Sequence, residues 1–353
     1  MRAVFGLIGV GTLLLAACAS VGPPTIERDR FDYVTTISDS WKRQTLLNLL
    51  KVRYADAPVF MDVSSVISSY SLEGEISLAG QYAPIGRGDA FGYLGTTGRY
   101  ADKPTITYQP LSGDKFAKSL MAPIPVTGFL FLIQSGYPAD LVLRICVNSI
   151  NGLENAYGGA GNPRAGSPQF RELMTALRES QAAGDTGFRV KSSKGEPGVV
   201  MFVRPSADQV TVPSRKIREL LGLNADSREF SVVYGSYPEQ DTEIAVLTRS
   251  MLQVMIDFAS YIDVPAADVA EGRVSSPQRT AEQERAFPPL ITVHHGATPP
   301  DDAYVSIRYR NQWFWIDDRD AESKRILTFL MMMFSLTEGA PTQNAPVVTV
   351  PAR

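Results

Sequence analysis

The chain has very few of the residues that build metal sites and disulfides. Its 353 residues include two cysteines, Cys18 and Cys146, and two histidines, His294 and His295. Adjacent residues on a strand point to opposite faces, so the two histidines cannot easily bind one metal together. No cysteine or acidic cluster stands near them at ligand spacing. We therefore expect neither a metal nor another cofactor.

Positive charge is not in excess. The formal net charge is −3, and no run of basic residues occurs. This argues against nucleic acid as a partner, and against electrostatic binding to anionic lipid headgroups. The apolar and charged fractions, 44% and 20%, are those of an ordinary globular protein with a sizeable core.

Catalytic motifs are incomplete. Ser112 and Lys115 match the Ser-x-x-Lys of penicillin-interacting serine enzymes, and Ser149 with Asn151 matches their Ser-x-Asn. Their Lys-Thr-Gly element and the Gly-x-Ser-x-Gly elbow are both missing. Ser112 is also explained as a turn or cap residue before a helix. We expect no enzyme; a cell-wall hydrolase or penicillin-interacting enzyme using Ser112 and Lys115 is the alternative.

The first residues have a different character from the rest of the chain. Arg2 precedes an uncharged, mostly apolar stretch, residues 3–15, which is too short for an ordinary membrane-spanning helix. Leu-Ala-Ala-Cys at 15–18 then resembles the lipobox of bacterial lipoprotein precursors. The resemblance implies a signal peptide at 1–17, cleavage before Cys18, and fatty acylation, such as palmitate, on Cys18. By the family's sorting rule, Ala19 implies the periplasmic side of the outer membrane.

The mature part has mixed helix and strand patterns, which predict an α+β fold of two packed subdomains. Residues 18–28 read as a lipidated tether, followed by an N-terminal subdomain at 29–160 and a C-terminal subdomain at 167–339. Within the latter, 265–288 reads as a mobile loop. The last residues, 340–353, have three prolines and no apolar period, which predicts a disordered tail.

Single elements can also be read from the pattern. Apolar spacing predicts a helix over 40–54, and the aliphatic residues around Cys146 predict a buried, inert thiol. The stretch 326–336 is apolar on nearly all sides, so we expect that helix to be buried in protein or at a partner interface.

A pair of tryptophans gives the clearest candidate surface. Strands are predicted over 304–309 and 312–316, so Trp313 and Trp315 share one face and Phe314 and Ile316 the other. The favoured interpretation places the tryptophans in the core. Alternatively they are exposed and, with Tyr309, form an interaction surface that could stack on the sugars of peptidoglycan.

A glycine-rich hairpin predicted over 71–109 is the second candidate surface. It raises the alternative that the chain is a subunit of an oligomeric outer-membrane pore, although Arg87, Asp89 and Arg99 interrupt the alternation of its second half.

Residues 44–60 and 311–336 are similar to segments of uncharacterised lipoproteins of Gram-negative bacteria, which implies no activity, substrate or cofactor. We therefore expect a non-enzymatic, outer-membrane lipoprotein facing the periplasm. It would act as an assembly or interaction component of the cell envelope. Its partners would be the bilayer, through acylated Cys18, and an envelope protein or further copies of itself, with the 326–336 helix and the hairpin as the surfaces that bind them.

Overall fold

The computed structural model has an α+β fold. It describes residues 23–67, 70–80, 92–102, 105–111, 114–159, 163–184, 186–193, 196–203, 211–275, 284–285, 287–337 and 348–351. The predicted signal peptide, Cys18, Ser112 and the tip of the predicted hairpin lie outside these residues.

The described helices are α1 (Pro23–Arg53), α2 (Asp114–Met121), α3 (Val126–Gln134), α4 (Ala139–Cys146), α5 (Pro168–Ala183), α6 (Val212–Leu221), α7 (Met251–Ser260), α8 (Ala266–Ala270) and α9 (Ala321–Thr337). The described strands are β1 (Phe60–Ile67), β2 (Tyr70–Gly80), β3 (Gly92–Asp102), β4 (Thr105–Leu111), β5 (Val147–Ile150), β6 (Leu153–Glu154), β7 (Thr186–Ser193), β8 (Glu196–Val203), β9 (Glu229–Tyr234), β10 (Glu243–Thr248), β11 (His294–Gly296), β12 (Ala303–Tyr309), β13 (Gln312–Asp317) and β14 (Val348–Pro351).

The chain divides into two compact units, but not at the predicted boundary. One unit comprises residues 1–39, 60–111 and 342–353, and the other comprises 40–59 and 112–341. The predicted boundary between 160 and 167 lies inside the second unit. There, β5 and β6 share a sheet with the later strands β7 to β10. These strands are far apart in the sequence, and local sequence patterns do not indicate which distant strands pair.

Helix α1 begins much earlier than the sequence pattern predicts. Pro23 and Pro24 occupy its first positions, where a missing backbone N–H costs nothing, and no glycine or proline interrupts it afterwards. The predicted tether at 18–28 is therefore wrong for residues 23–28, which are helical. The apolar stripe used for the prediction begins only near Leu46, where the helix becomes buried in the second unit.

The first unit contains the predicted glycine-rich hairpin. Strands β2 and β3 pair antiparallel, and β1 and β4 pair in the same way. On the other side of β4 lies β14, with Val348 opposite Tyr108. The prediction of a disordered tail over 340–353 is therefore wrong for residues 348–351. Their partner strand is more than two hundred residues away, and the pattern cannot reveal such a partner.

The second unit is built around a mixed sheet in the order β6-β5-β10-β9-β8-β7, in which β9 and β10 are parallel. Helix α5 begins and ends as its sequence predicts. The side chain of Ser167 accepts a hydrogen bond from the N–H of Phe170, and Gly184 ends the helix with a positive φ. Residues 266–270, inside the predicted loop 265–288, form the short helix α8.

Two predictions about buried groups can be compared with this unit. Cys146 is completely buried, and loss of solvation raises the pKa of its thiol to about 12, which confirms an inert thiol. In α9, the apolar side chains Ile326, Leu327, Phe329, Leu330, Met333 and Phe334 are buried within the chain itself. This helix is therefore part of the core, and the expectation that it offers a partner surface is wrong for these six residues. Among the described helices, none is both long and apolar enough to cross a bilayer.

Candidate functional site

The predicted tryptophan strand is β13, the central strand of a small sheet in the order β11-β13-β12. Both pairings are antiparallel. The predicted hairpin between β12 and β13 is confirmed. Arg310 and Asn311 both have positive φ, 46° and 67°, as the central residues of a type I′ turn require.

The register of this sheet decides which face the tryptophans occupy. Trp315 lies between His294 and Ser306, and Trp313 lies between Gly296 and Arg308. Directly opposite residues in an antiparallel sheet share a face. We call this set, His294, Gly296, Ser306, Arg308, Trp313 and Trp315, the tryptophan face.

The other face of the sheet is the buried one. Phe314 and Ile316 are 0% exposed and Val305 is 4% exposed, whereas Trp313 and Trp315 are half-buried. The interpretation that placed the tryptophans in the core is therefore wrong. Because one face of this strand had to be buried, the aliphatic and phenyl side chains fill the core, and the larger indoles, each with a polar N–H, remain at the edge of solvent.

Gly296 lies against the Trp315 ring on the tryptophan face. A Cβ atom at Gly296 would lie 3.1 Å from Cη2 of Trp315, so a larger residue would displace that indole. On the same face, the His294 ring stacks on the Trp315 ring at a centroid distance of 5.9 Å and an interplanar angle of 30°. The result is a short aromatic platform.

Polar groups border this platform. Neither indole N–H has a hydrogen-bond partner in the part of the chain that the structure describes. The guanidinium of Arg308 is exposed beside Trp313. Asp320 lies close enough to His294 to interact with it electrostatically. Burial alone would raise the pKa of Asp320, but hydrogen bonds from Ser323 and Glu322 and the electrostatic interaction with His294 lower it overall. The platform can therefore offer two N–H donors, a cation and stacking surfaces to a ligand.

Tyr309 does not belong to the tryptophan face. Its register partner is Gln312, which places it on the face of Phe314. Its hydroxyl donates a hydrogen bond to Asp56, and its ring meets the ring of Tyr54 edge-on at 5.5 Å. The predicted grouping of Tyr309 with the tryptophans is therefore wrong, because the register across the turn places Tyr309 on the opposite face of the sheet.

These contacts hold the β12–β13 turn against the end of α1. Arg310 also lies 3.2 Å from Oδ2 of Asp56 and stacks over Tyr54 at 4.9 Å. Hydrogen bonds from Tyr309 and Arg310 lower the pKa of Asp56. Burial, followed by the hydrogen bond to Asp56, raises the pKa of Tyr309. This cluster is structural, and it fixes the hairpin that carries the tryptophans.

The remaining predicted residues are not brought together into a site. Cys18 and Ser112 lie outside the described residues, and of Lys115 only the backbone, in α2, is described. Asn151, from the Ser-x-Asn match, shapes a turn: its amide donates to the carbonyl of Leu221 and accepts from the N–H of Ala245. Its φ of 45° suits asparagine.

Sequence reasoning missed a buried ion pair. Arg249 and Asp257 are 2.9 Å apart, with side chains 0% and 5% exposed. Arg249 also donates to Asn148 and to the carbonyl of Ala156, and Asp257 accepts from the N–H of Gly158. Arg249 lies just before α7 and Asp257 lies within it, and two charges at this spacing give no sequence signal of a buried ion pair. These hydrogen bonds connect the start of α7 to the segments that carry Asn148, Ala156 and Gly158.

A cleft of about 430 Å³ lies where α1 and α7 end. Arg53 in its wall donates to the carbonyls of Ile262 and Ser275, and desolvation lowers its pKa. Asp263 and Glu284 also line the cleft, so its mixed charges indicate no particular class of ligand. Within the described residues, no group of three or more histidine, cysteine or acidic side chains could hold a metal ion.

Comparison with family models, with curated proteins and with solved structures finds no match to this chain.

Proposed function

We propose that the protein is a non-enzymatic lipoprotein, held at the periplasmic side of the outer membrane by acylated Cys18, that binds cell-wall glycan through the tryptophan face. The lipobox at 15–18 and Ala19 support the anchor and its location. One observation supports binding most directly. Trp313 and Trp315 lie side by side and half-buried, and neither indole N–H has a hydrogen-bond partner within the described part of the chain.

The chemistry of a glycan fits this platform. A pyranose ring has an apolar face of C–H groups that packs on an indole, and its rim of hydroxyl oxygens accepts hydrogen bonds from indole N–H groups. Arg308 would pair with a carboxylate, and the stem peptides of peptidoglycan carry free carboxylates. Peptidoglycan is also the polysaccharide within reach of a protein held at that membrane surface.

The expected strength is modest, and the anchor compensates for it. An aromatic contact contributes roughly 0.5–1.5 kcal/mol beyond the area it buries. Two such contacts with a few hydrogen bonds correspond to a Kd of about 1 mM, or about −4 kcal/mol. Fixing many copies on a membrane that faces a continuous polymer raises the effective concentration, so weak single contacts give firm attachment.

Co-sedimentation of the mature protein with purified sacculi tests the proposal. The wild type should sediment with sacculi, and Trp313→Ala/Trp315→Ala should lose most of this binding. Tyr234→Ala, at an aromatic residue that is 57% exposed on β9, is the matched control and should bind like the wild type. Circular dichroism establishes that each variant is folded.

Two results would reject glycan binding. One is a folded double variant that sediments as the wild type does. The other is a face that crosslinks in intact cells to an envelope protein while purified sacculi retain none of the wild type, which would identify a protein partner instead.

A further inference from the structure

The glycine-rich hairpin has an incomplete sheet. Strands β2 and β3, eleven residues each, pair without interruption from Tyr70 opposite Asp102 to Gly80 opposite Gly92. They form a two-stranded sheet, and no other described strand pairs with the outer edge of either. A hairpin alone in water is marginally stable, and each outer edge offers a row of backbone groups for a further strand.

The register gives the hairpin two different faces. Leu72, Ile76 and Leu78 of β2 share a face with their partners Tyr100, Thr96 and Leu94 of β3. Ser71, Glu73, Glu75 and Ser77 share the other face with their partners Ala101, Arg99, Thr97 and Gly95. Any strand that extends this sheet must keep the apolar face continuous, because a shift by one residue would move its whole pattern to the wrong face.

The charges of the two strands are complementary. Glu73 and Glu75 lie on β2, whereas Arg99 lies on β3, and the ladder places Glu73 opposite Arg99. If β3 of one copy pairs with β2 of the next in the same register, Glu73 and Arg99 again occupy directly opposite positions. Pairing β2 with β2 would bring glutamates together, and like charges across a ladder are unfavourable.

We infer that this hairpin is a self-assembly element, in which β3 of one copy pairs antiparallel with β2 of the next copy of the chain. The contact joins two different edges, so an open assembly still has one free β2 edge and one free β3 edge at its two ends. Such a head-to-tail contact closes into a ring or continues as an open filament. The inference depends on the hairpin alone, and it stands or fails independently of glycan binding by the tryptophan face.

Charge reversal with mixing tests this contact on the full-length, detergent-extracted protein. The wild type should be multimeric by light scattering. Glu73→Arg and Arg99→Glu each place like charges across the contact between copies, so each variant alone should lose this multimer. An equimolar mixture of the two variants should recover the multimer. The Arg99 edge of the Glu73→Arg variant then meets the Glu73 edge of the Arg99→Glu variant. The two substituted edges also carry opposite charges and attract each other.

The mixture separates assembly from folding. Within each variant's own hairpin, positions 73 and 99 carry like charges, and mixing does not change this. Recovery on mixing can therefore come only from contact between copies. Glu219→Arg, at an exposed carboxylate in the second unit, is the matched control and should remain multimeric.

Thiol crosslinking tests which edges meet. The buried, high-pKa thiol of Cys146 does not compete with an introduced cysteine. In the register that places Glu73 opposite Arg99, Ser77 lies opposite Gly95. A Ser77→Cys chain should therefore crosslink to a differently tagged Gly95→Cys chain, and two Ser77→Cys chains should not crosslink to each other. The inference would be overturned by a monomeric wild type or by a multimer that tolerates both charge reversals. It would also be overturned by a mixture that stays dissociated or by crosslinking between two Ser77→Cys chains.

Discussion

Replacing Asp257 by asparagine should destabilise the second unit strongly, although the two side chains have nearly the same shape. Both carboxylate oxygens of Asp257 accept hydrogen bonds, Oδ1 from the N–H of Gly158 at 2.6 Å and Oδ2 from Arg249 at 2.9 Å. Asparagine has one oxygen, so its NH₂ group must face one of these donors. Arg249, which is fully buried, then loses its counter-charge.

The size of the effect follows from this burial. Removing one partner of a buried ion pair costs about 3–5 kcal/mol. The carbonyls of Ile145 and Ala156, which also accept from Arg249, place the expected loss near the lower end, about 3 kcal/mol. A domain has roughly 5–15 kcal/mol of stability in total, so the variant would lose a large share of it.

Urea unfolding measured by tryptophan fluorescence provides the assay. The three tryptophans, Trp41, Trp313 and Trp315, all belong to the second unit, so the signal reports on that unit. With a slope of about 1–3 kcal/mol per molar urea, the midpoint should fall by roughly 1–3 M. Asp263→Asn is the control: this carboxylate is 78% exposed and lies 3.5 Å from His295, and an exposed pair contributes about 0–1 kcal/mol. A loss for Asp257→Asn as small as that of the control would refute the reasoning.

Four further outcomes are expected. Cys18→Ser should leave an uncleaved or unanchored form, and unchanged membrane fractionation would contradict the lipid anchor. Fluorescent penicillin should not label the protein, whereas covalent labelling that Ser112→Ala abolishes would favour the enzyme alternative. Because the pKa of Asp56 is lowered by its partners in the fold, its contribution to stability is present above the unfolded-state value of about 3.9 and is lost as the pH falls through the lowered value. Asp56→Asn should therefore remove part of the acid sensitivity of unfolding below about pH 4. Gly296→Ala should weaken binding to sacculi, because the added methyl group tilts the indole of Trp315. It should not cause the loss of stability that a core substitution causes. An equal loss of binding and of stability would show that Gly296 has only a structural role.

Local features of this fold could be predicted, and features that depend on distant pairing could not. The cap at Ser167 and the turn at Arg310 and Asn311 were predictable because backbone preferences over a few residues determine them. The strand at 348–351 and the sheet that unites β5 with β10 were not, since their partners are about a hundred or more residues away. Only the C-terminal half of helix α1 was predicted, because its first turns have no apolar stripe.

The candidate site shows the same division. The alternation of β13 predicted correctly that Trp313 and Trp315 share a face, but not which face is buried. That choice depends on the space the rest of the chain leaves under the sheet, and Phe314 and Ile316 fill it. The separation of Tyr309 from the tryptophans depends on the register across the turn, which places it with Asp56 and away from them.

Two sets of hydrogen-bonding groups without a described partner suit the proposed binding and assembly roles. The charged groups deepest in the second unit, Arg249 and Asp257, bond to one another and to nearby backbone. By contrast, the indole N–H groups of Trp313 and Trp315 and the outer edges of β2 and β3 lack partners within the described chain. In each set the groups are spaced along a β-strand, so each set suits an extended partner. For the indoles the partner would be a polysaccharide, and for the edges it would be another β-strand. Catalysis would instead need titratable groups converging on one reacting atom. For this reason, the double tryptophan variant and the mixed charge-reversal variants are more decisive tests of function than a screen of substrates.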